Sequence, residues 1–135
     1  MTQRHRFKVE KLVRNKTYDR LTKRTVIMKF RVASSSEYHA LLKTKLIEEA
    51  EEVALSKTEA ELISELADVL EVIHALAVAH TVSFEAIEAK RQEKLVSRGG
   101  FDNQIYSEYI EMDESHELYA ECKDEPAKYP EIEIE

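Results

Sequence analysis

Two clusters of carboxylates are the residues of this chain best suited to chemistry. The first is Glu48-Glu49-Ala50-Glu51-Glu52, and the second is Glu65-Leu66-Ala67-Asp68, separated from Glu52 by twelve residues. On a helix, Glu49 and Glu52 stand at i and i+3, Glu48 and Glu52 at i and i+4, and Glu65 and Asp68 at i and i+3, so each pair shares a face. Glu65 and Asp68 interrupt the most apolar stretch of the sequence. A charge there costs several kcal/mol of desolvation unless it is paired. No Lys or Arg lies between Thr58 and Lys90, so the same helix offers no cation. Converging carboxylates then repel one another unless a divalent ion sits among them. With no Cys or His beside the cluster, all-oxygen ligation selects Mg²⁺ or Mn²⁺ over Zn²⁺. The run 48–52 taken alone suits a solvated helix face; Glu65 with Asp68, set among apolar neighbours, does not.

The elements that must position these groups are helical. In 135 residues there are two glycines and two prolines, and residues 1 to 98 contain neither. Sheets rich in tight turns need more of both, so the fold class expected is all-α, an antiparallel helical bundle. Ser34-Ser35-Ser36-Glu37 forms a capping box, with Ser34 at the cap and Glu37 reaching back to its amide. Leu41, Leu42, Lys45, Leu46, Glu49 and Val53 continue at helical spacing. Ser56-Lys57-Thr58 breaks the pattern, Thr58–Glu61 is a second capping box, and a helix runs from there to about Thr81. The break is short, so the two helices are antiparallel neighbours. The second is apolar nearly all round, which predicts burial on several sides and hints at a dimer. Ser83 can cap a further helix through Arg98, with Gly99 as its stop.

The flanking segments read differently. Residues 7–24 suggest a loop leading into a short helix. Thr25–Val32 is β-branched and suits one short strand or extended segment, which as a strand would need a pairing partner. Beyond Phe101 the chain is acidic and Tyr-spotted, with one helix expected near 106–121 and residues 122–135 disordered or loosely draped. The organisation expected is a domain over 1–101, with a basic N-terminal arm at 1–31, and an acidic extension over 102–135.

Composition narrows the function classes. Hydrophobic residues at 43% are enough for a core and exclude wholesale disorder. One cysteine, Cys122, excludes an internal disulfide and fits a reducing compartment; its acidic neighbours disfavour a thiolate. No apolar run spans a bilayer, and the basic start, Met1–Arg6, leads into no apolar signal core, so a soluble cytoplasmic protein without a membrane partner is expected. The net charge of −7 hides segregation: residues 1–31 carry eleven Lys or Arg against two acids, and residues 107–135 carry eleven acids against two Lys. The basic arm suits an anionic partner such as phosphate or nucleic acid, although the two ends can also neutralise each other.

The spacing Glu-Glu-x-x-Glu, twelve residues, Glu-x-x-Asp is the signature of the all-α nucleoside triphosphate pyrophosphohydrolases, and the sequence resembles their MazG-like and phosphoribosyl-ATP pyrophosphohydrolase-like family. Lys11-Leu12-Val13-Arg14-Asn15-Lys16 is similar to that family's Lys-Leu-Val-Arg-Asp-Lys block. Ser64–Val72 resembles its second metal helix, and Lys94 with Arg98-Gly99-Gly100-Phe101 resembles its Lys-x-x-x-Arg-Gly-Gly-Phe close. The motifs occur in family order over roughly residues 8–101. Asn15 replaces the usual acid, Thr17-Tyr18 replaces a frequent Ile-Pro, and the acidic extension has no counterpart.

The resemblance implies a helical homodimer or dimer of dimers with Mg²⁺, or Mn²⁺ in its place, held by Glu49, Glu52, Glu65 and Asp68. The implied reaction is hydrolysis of a nucleoside triphosphate between the α- and β-phosphates, in nucleotide-pool housekeeping. Glu48 is the candidate base that orients or deprotonates water. Lys11, Arg14, Lys16, Lys94 and Arg98 are the candidates to meet the polyphosphate, with Gly99 and Gly100 allowing close backbone approach. His74 and His80 read as packed residues rather than ligands, and Tyr106 and Tyr109 as interface residues. Two rivals remain: phosphoribosyl-ATP as the substrate, in histidine synthesis, and a non-catalytic helical dimer gripping RNA or protein through its basic arm. The carboxylate set argues against the second, because a polyanion binder gains nothing from buried acids.

Overall fold

Hydroxyl side chains start the three long helices. In the computed structural model, which describes residues 2–135, the helices are α1 (Thr17–Thr22), α2 (Ser35–Leu55), α3 (Glu59–Ala79), α4 (Phe84–Arg98) and α5 (Tyr119–Asp124). The Ser34 hydroxyl accepts the Glu37 amide at 3.3 Å, Thr58 accepts that of Glu61 at 3.1 Å, and Ser83 accepts that of Ala86 at 3.1 Å. Each cap contributes about 1 kcal/mol. The return half of each capping box is not made. Glu37 instead takes both guanidinium nitrogens of Arg31, at 2.6 and 2.7 Å, and Glu61 takes the Lys57 amide at 2.8 Å. For Glu37 a forked, charge-assisted pair outcompetes one neutral amide. The hydrogen bond from Arg31 also holds the Glu37 carboxyl below the usual range.

The described residues contain no strand, so the chain is all-α and Thr25–Val32 takes the extended-segment alternative. A lone strand has no ladder to join within one chain. Phe30 packs edge-on against Tyr18, ring centroids 5.1 Å apart, and the Arg31–Glu37 fork fastens the segment to the start of α2. No helix among the described residues is long and apolar enough to cross a membrane.

The chain divides into two compact units, Met1–Ser97 and Arg98–Glu135. In the first, α2 and α3 pack against each other across the Ser56–Thr58 break. Ser56 helps to stop α2, its hydroxyl donating to the Val53 carbonyl at 2.7 Å. The buried hydrophobic residues are Leu42 from α2 and Val72 and Ala77 from α3. The expectation that the apolar helix is buried on several sides therefore fails within a single chain. Ile63, Leu70 and Val78 of α3 are 62%, 51% and 80% exposed, because a two-helix hairpin covers only one side of each helix.

Two helices close on threonine where glycine is usual. Val26 donates to the Leu21 carbonyl and Thr25 to that of Thr22, both at 3.2 Å, and Val82 and Thr81 repeat the pattern on Ala77 and Val78. This closure needs a left-handed residue at its turn. Thr25 and Thr81 supply it at φ 60° and 56°, a conformation that strains a β-branched side chain. After α4, Gly99 does the same at φ 80°.

In the second unit the helix expected near 106–121 is displaced to Tyr119–Asp124 and is only six residues long. The acids at 108, 111, 113, 114 and 117 repel one another, and a short helix without packing is marginal. Beyond α5, residues 125–135 form turns and irregular backbone and are exposed. Tyr129 donates to the Glu125 carbonyl at 2.8 Å, and Lys123 pairs with Glu131 at 2.8 Å.

Candidate metal and phosphate site

Leu42 and Glu49 stand two helical turns apart on α2, and Val72 stands two turns beyond Glu65 on α3, so the carboxylates share the helix faces that form the small core. The antiparallel pairing brings these faces together nearer the Ser56–Thr58 break. One carboxylate oxygen from each of Glu49, Glu65 and Asp68 lies within 4.8 Å of the others, and all three residues are half-buried. Glu52 stands outside this triad, yet its charge reaches Glu65.

Cations reach the cluster from outside α3, which corrects the expectation of carboxylates without a counter-charge. The Arg14 guanidinium donates to Asp68 at 2.7 Å. Lys45, one turn before the cluster on α2, lies 3.4 Å from Glu49 and 3.2 Å from Glu48, and Lys11 reaches Glu48 at 3.1 Å. Glu65 alone of the triad has no cation partner among the described residues. Burial, followed by the charges of Asp68, Glu52, Glu49 and Glu61, pushes its carboxyl above the usual range. Glu48 goes the other way: burial opposes its ionisation, but the hydrogen bonds from Lys11 and Lys45 outweigh it and hold the carboxyl low.

The arrangement fits a hard divalent cation. Every donor is a carboxylate oxygen, and the separations suit oxygens on one ion at about 2.0–2.6 Å each. Charge supports the fit, since Glu65 carries repulsion that such an ion would relieve.

Lys11 and Arg14, read from sequence as phosphate ligands, are thus drawn to the carboxylates. Lys16 lines a shallow concavity around α1, with Arg14 at its edge. Lys94 is exposed on α4 without an ion-pair partner among the described residues. Arg98 is the last residue of α4, and Gly99 is its stop. A Cβ on Gly99 would meet nothing within 4 Å, so its positive φ, not crowding, is what calls for glycine; Gly100 has no such backbone requirement. His74 stacks on Phe84 at 4.1 Å and His80 lies 4.4 Å from the His39 ring, but both are exposed, so the expectation of packed histidines on a buried helix is corrected to surface rings. Lys45 was missed as a site residue. Its spacing of three and four from Glu48 and Glu49 is the signal that would have found it.

A family model described as phosphoribosyl-ATP pyrophosphohydrolase covers residues 20–94, more than half of the chain and all of the carboxylate triad. No curated protein and no solved structure gives a significant match.

Proposed function

Since the chain belongs to the phosphoribosyl-ATP pyrophosphohydrolase family, within the MazG-like all-α superfamily, we propose that it hydrolyses a nucleoside triphosphate between the α- and β-phosphates, with Mg²⁺ bound by Glu49, Glu65 and Asp68 and with Glu52 beside them. The observation that supports this reading most is the half-buried triad lying inside the matched segment. When bound, a divalent ion supplies neutralisation of phosphate charge and acidification of water. Glu48, kept ionised by Lys11 and Lys45, accepts a hydrogen bond from the attacking water and orients it. Water oxygen bonds to the α-phosphorus as Glu48 takes its proton, the bond from that phosphorus to the bridging oxygen breaks with its electron pair going to the departing pyrophosphate, and monophosphate and pyrophosphate leave. Lys11, Arg14 and Lys16 meet the phosphate charge, with Lys94 a further candidate on α4.

The exposed apolar side of α3 supports a homodimer or dimer of dimers as the working form, each covered Leu, Ile or Val side chain contributing roughly 1.5–3 kcal/mol. The reading places the enzyme in the cytoplasm, where a single unpaired cysteine is at home. A second reading, phosphoribosyl-ATP as substrate, is favoured by the description of the matching family.

One panel tests all of this: pyrophosphate release from the common ribo- and deoxyribonucleoside triphosphates and from phosphoribosyl-ATP, with and without Mg²⁺. Turnover of a triphosphate that stops on chelation and falls in Glu48→Gln supports the first reading. Turnover confined to phosphoribosyl-ATP replaces it with the second. No release from any of them overturns both.

A further inference from the structure

The short helix α1 and its ends carry a group of cations of which Arg20, Lys23 and Arg24 have no part in the proposed hydrolysis. Arg14, Lys16, Arg20, Lys23 and Arg24 line one concavity of about 690 Å³, with Asp19 the only acid among them. Lys16, Arg20, Lys23 and Arg24 make no side-chain hydrogen bond or ion pair among the described residues, whereas Arg14 is bonded to Asp68 at 2.7 Å. Arg20 lies on α1, Lys16 at its N-cap, and Lys23 and Arg24 in the turn that follows Thr22, and all four border the same concavity. The donors are side chains, not helix-end amides: the Thr17 amide is already bonded to the Arg14 carbonyl at 3.0 Å and that of Arg20 to the Lys16 carbonyl at 3.1 Å.

We propose that this concavity is a second anion site that binds a short phosphate chain, as free pyrophosphate or as the polyphosphate end of a nucleotide, through Arg20, Lys23 and Arg24. Guanidinium groups match phosphate oxygens in a fork, and a lysine adds a mobile point charge. Arg20 on α1 and Lys23 and Arg24 in the turn after it border one small concavity, a short cluster that suits a few linked phosphates better than the long track of a nucleic-acid backbone. Arg14 belongs to both places. Arg14 is therefore the residue that can pass from carboxylate to a phosphate chain held here. The nucleotide as source of the chain rests on the hydrolase reading; the anion site itself does not.

The test is calorimetry of the full-length protein with inorganic pyrophosphate in the presence of a chelator, so that no metal and no turnover contribute. The wild type should bind one pyrophosphate per chain, and the triple variant Arg20→Ala, Lys23→Ala, Arg24→Ala should bind at least tenfold more weakly. Its Mg²⁺-induced rise in Tm should match the wild type, which shows that it is folded. If the triple variant does not fold, the single reversal Arg20→Glu, at an exposed side chain, should give a loss of the same direction. Glu49→Gln should leave pyrophosphate binding unchanged. Equal binding in wild type and either cation variant overturns the site. So does tight binding of a single-stranded oligonucleotide with none of pyrophosphate. Pyrophosphate binding that depends on Arg20, Lys23 and Arg24, in a protein that hydrolyses no nucleotide, keeps the site and removes the hydrolase reading alone.

Discussion

The carboxylate triad and the α1 concavity are two polar regions of one compact unit, held by opposite means. The triad rides on two 21-residue helices that pack together and are capped by hydroxyls, so its side chains are half-buried, and the charges of Asp68 and Glu49 help to raise the Glu65 carboxyl. The concavity rides on a six-residue helix with no buried residue, closed by a strained threonine. Its cations are exposed, and solvent screens them. Rigid, partly buried acids suit an ion that must be placed within a few tenths of an ångström. Exposed cations suit a flexible anion that is gripped and released. Arg14 joins the two, and Lys11 and Lys45 temper the acidic side.

The largest effect that would separate the regions is chemical. Glu65→Gln should lower kcat/KM on the best nucleotide by on the order of 10³-fold and erase the Mg²⁺-induced rise in Tm. An unchanged metal response in that variant removes Glu65 from the ligand set. Arg14→Ala should come next, with kcat/KM falling by about 10–100-fold, or roughly 1.4–2.7 kcal/mol. The metal response should survive, because the three carboxylates are intact. Loss of the metal response instead would make Arg14 an organiser of the triad and not a bridge to phosphate.

A smaller effect concerns pH. The folded chain raises the Glu65 carboxyl, so it holds that proton more tightly than the unfolded chain does. The contribution of this group to stability is therefore present at acid pH and lost as pH rises from the ordinary glutamate range through the raised value. Without metal at pH 7, Glu65→Gln should melt above the wild type, and the gap should close as pH falls below the ordinary range. A gap that stays constant with pH would mean that the substitution acts through packing. The smallest effect tests the support of the concavity. Thr25→Asn, placing a residue that tolerates positive φ at the end of α1, should stabilise the chain by about 0.5–1 kcal/mol, seen as a modest rise in Tm with pyrophosphate affinity unchanged.

Read residue by residue, the carboxylate side was legible and the cationic side was not. Glu49, Glu65 and Asp68 could be found because helical spacing within each cluster, and one short break between two capped helices, leave a single way to pair them. Ser34, Thr58 and Ser83 act through bonds three residues long, and Gly99 through its own φ; such local rules need no tertiary context. The pairing of Lys11 with Glu48 and Arg14 with Asp68 spans 37 and 54 residues and follows no periodicity, so only the folded chain could decide it. The same holds for Arg31, which took Glu37 from its own cap.

What the sequence by itself determined is the three long helices, their hydroxyl N-caps and the carboxylate faces, since these depend on neighbours within one or two turns. What only the tertiary structure decided is where the charges go and what stays uncovered. Coulomb energy depends on distance in space, not along the chain, so the basic arm divides its cations between the acids of α2 and α3 and the concavity of α1. Burial depends on what else is present to cover a face, so the most apolar helix lies half open to solvent in a single chain.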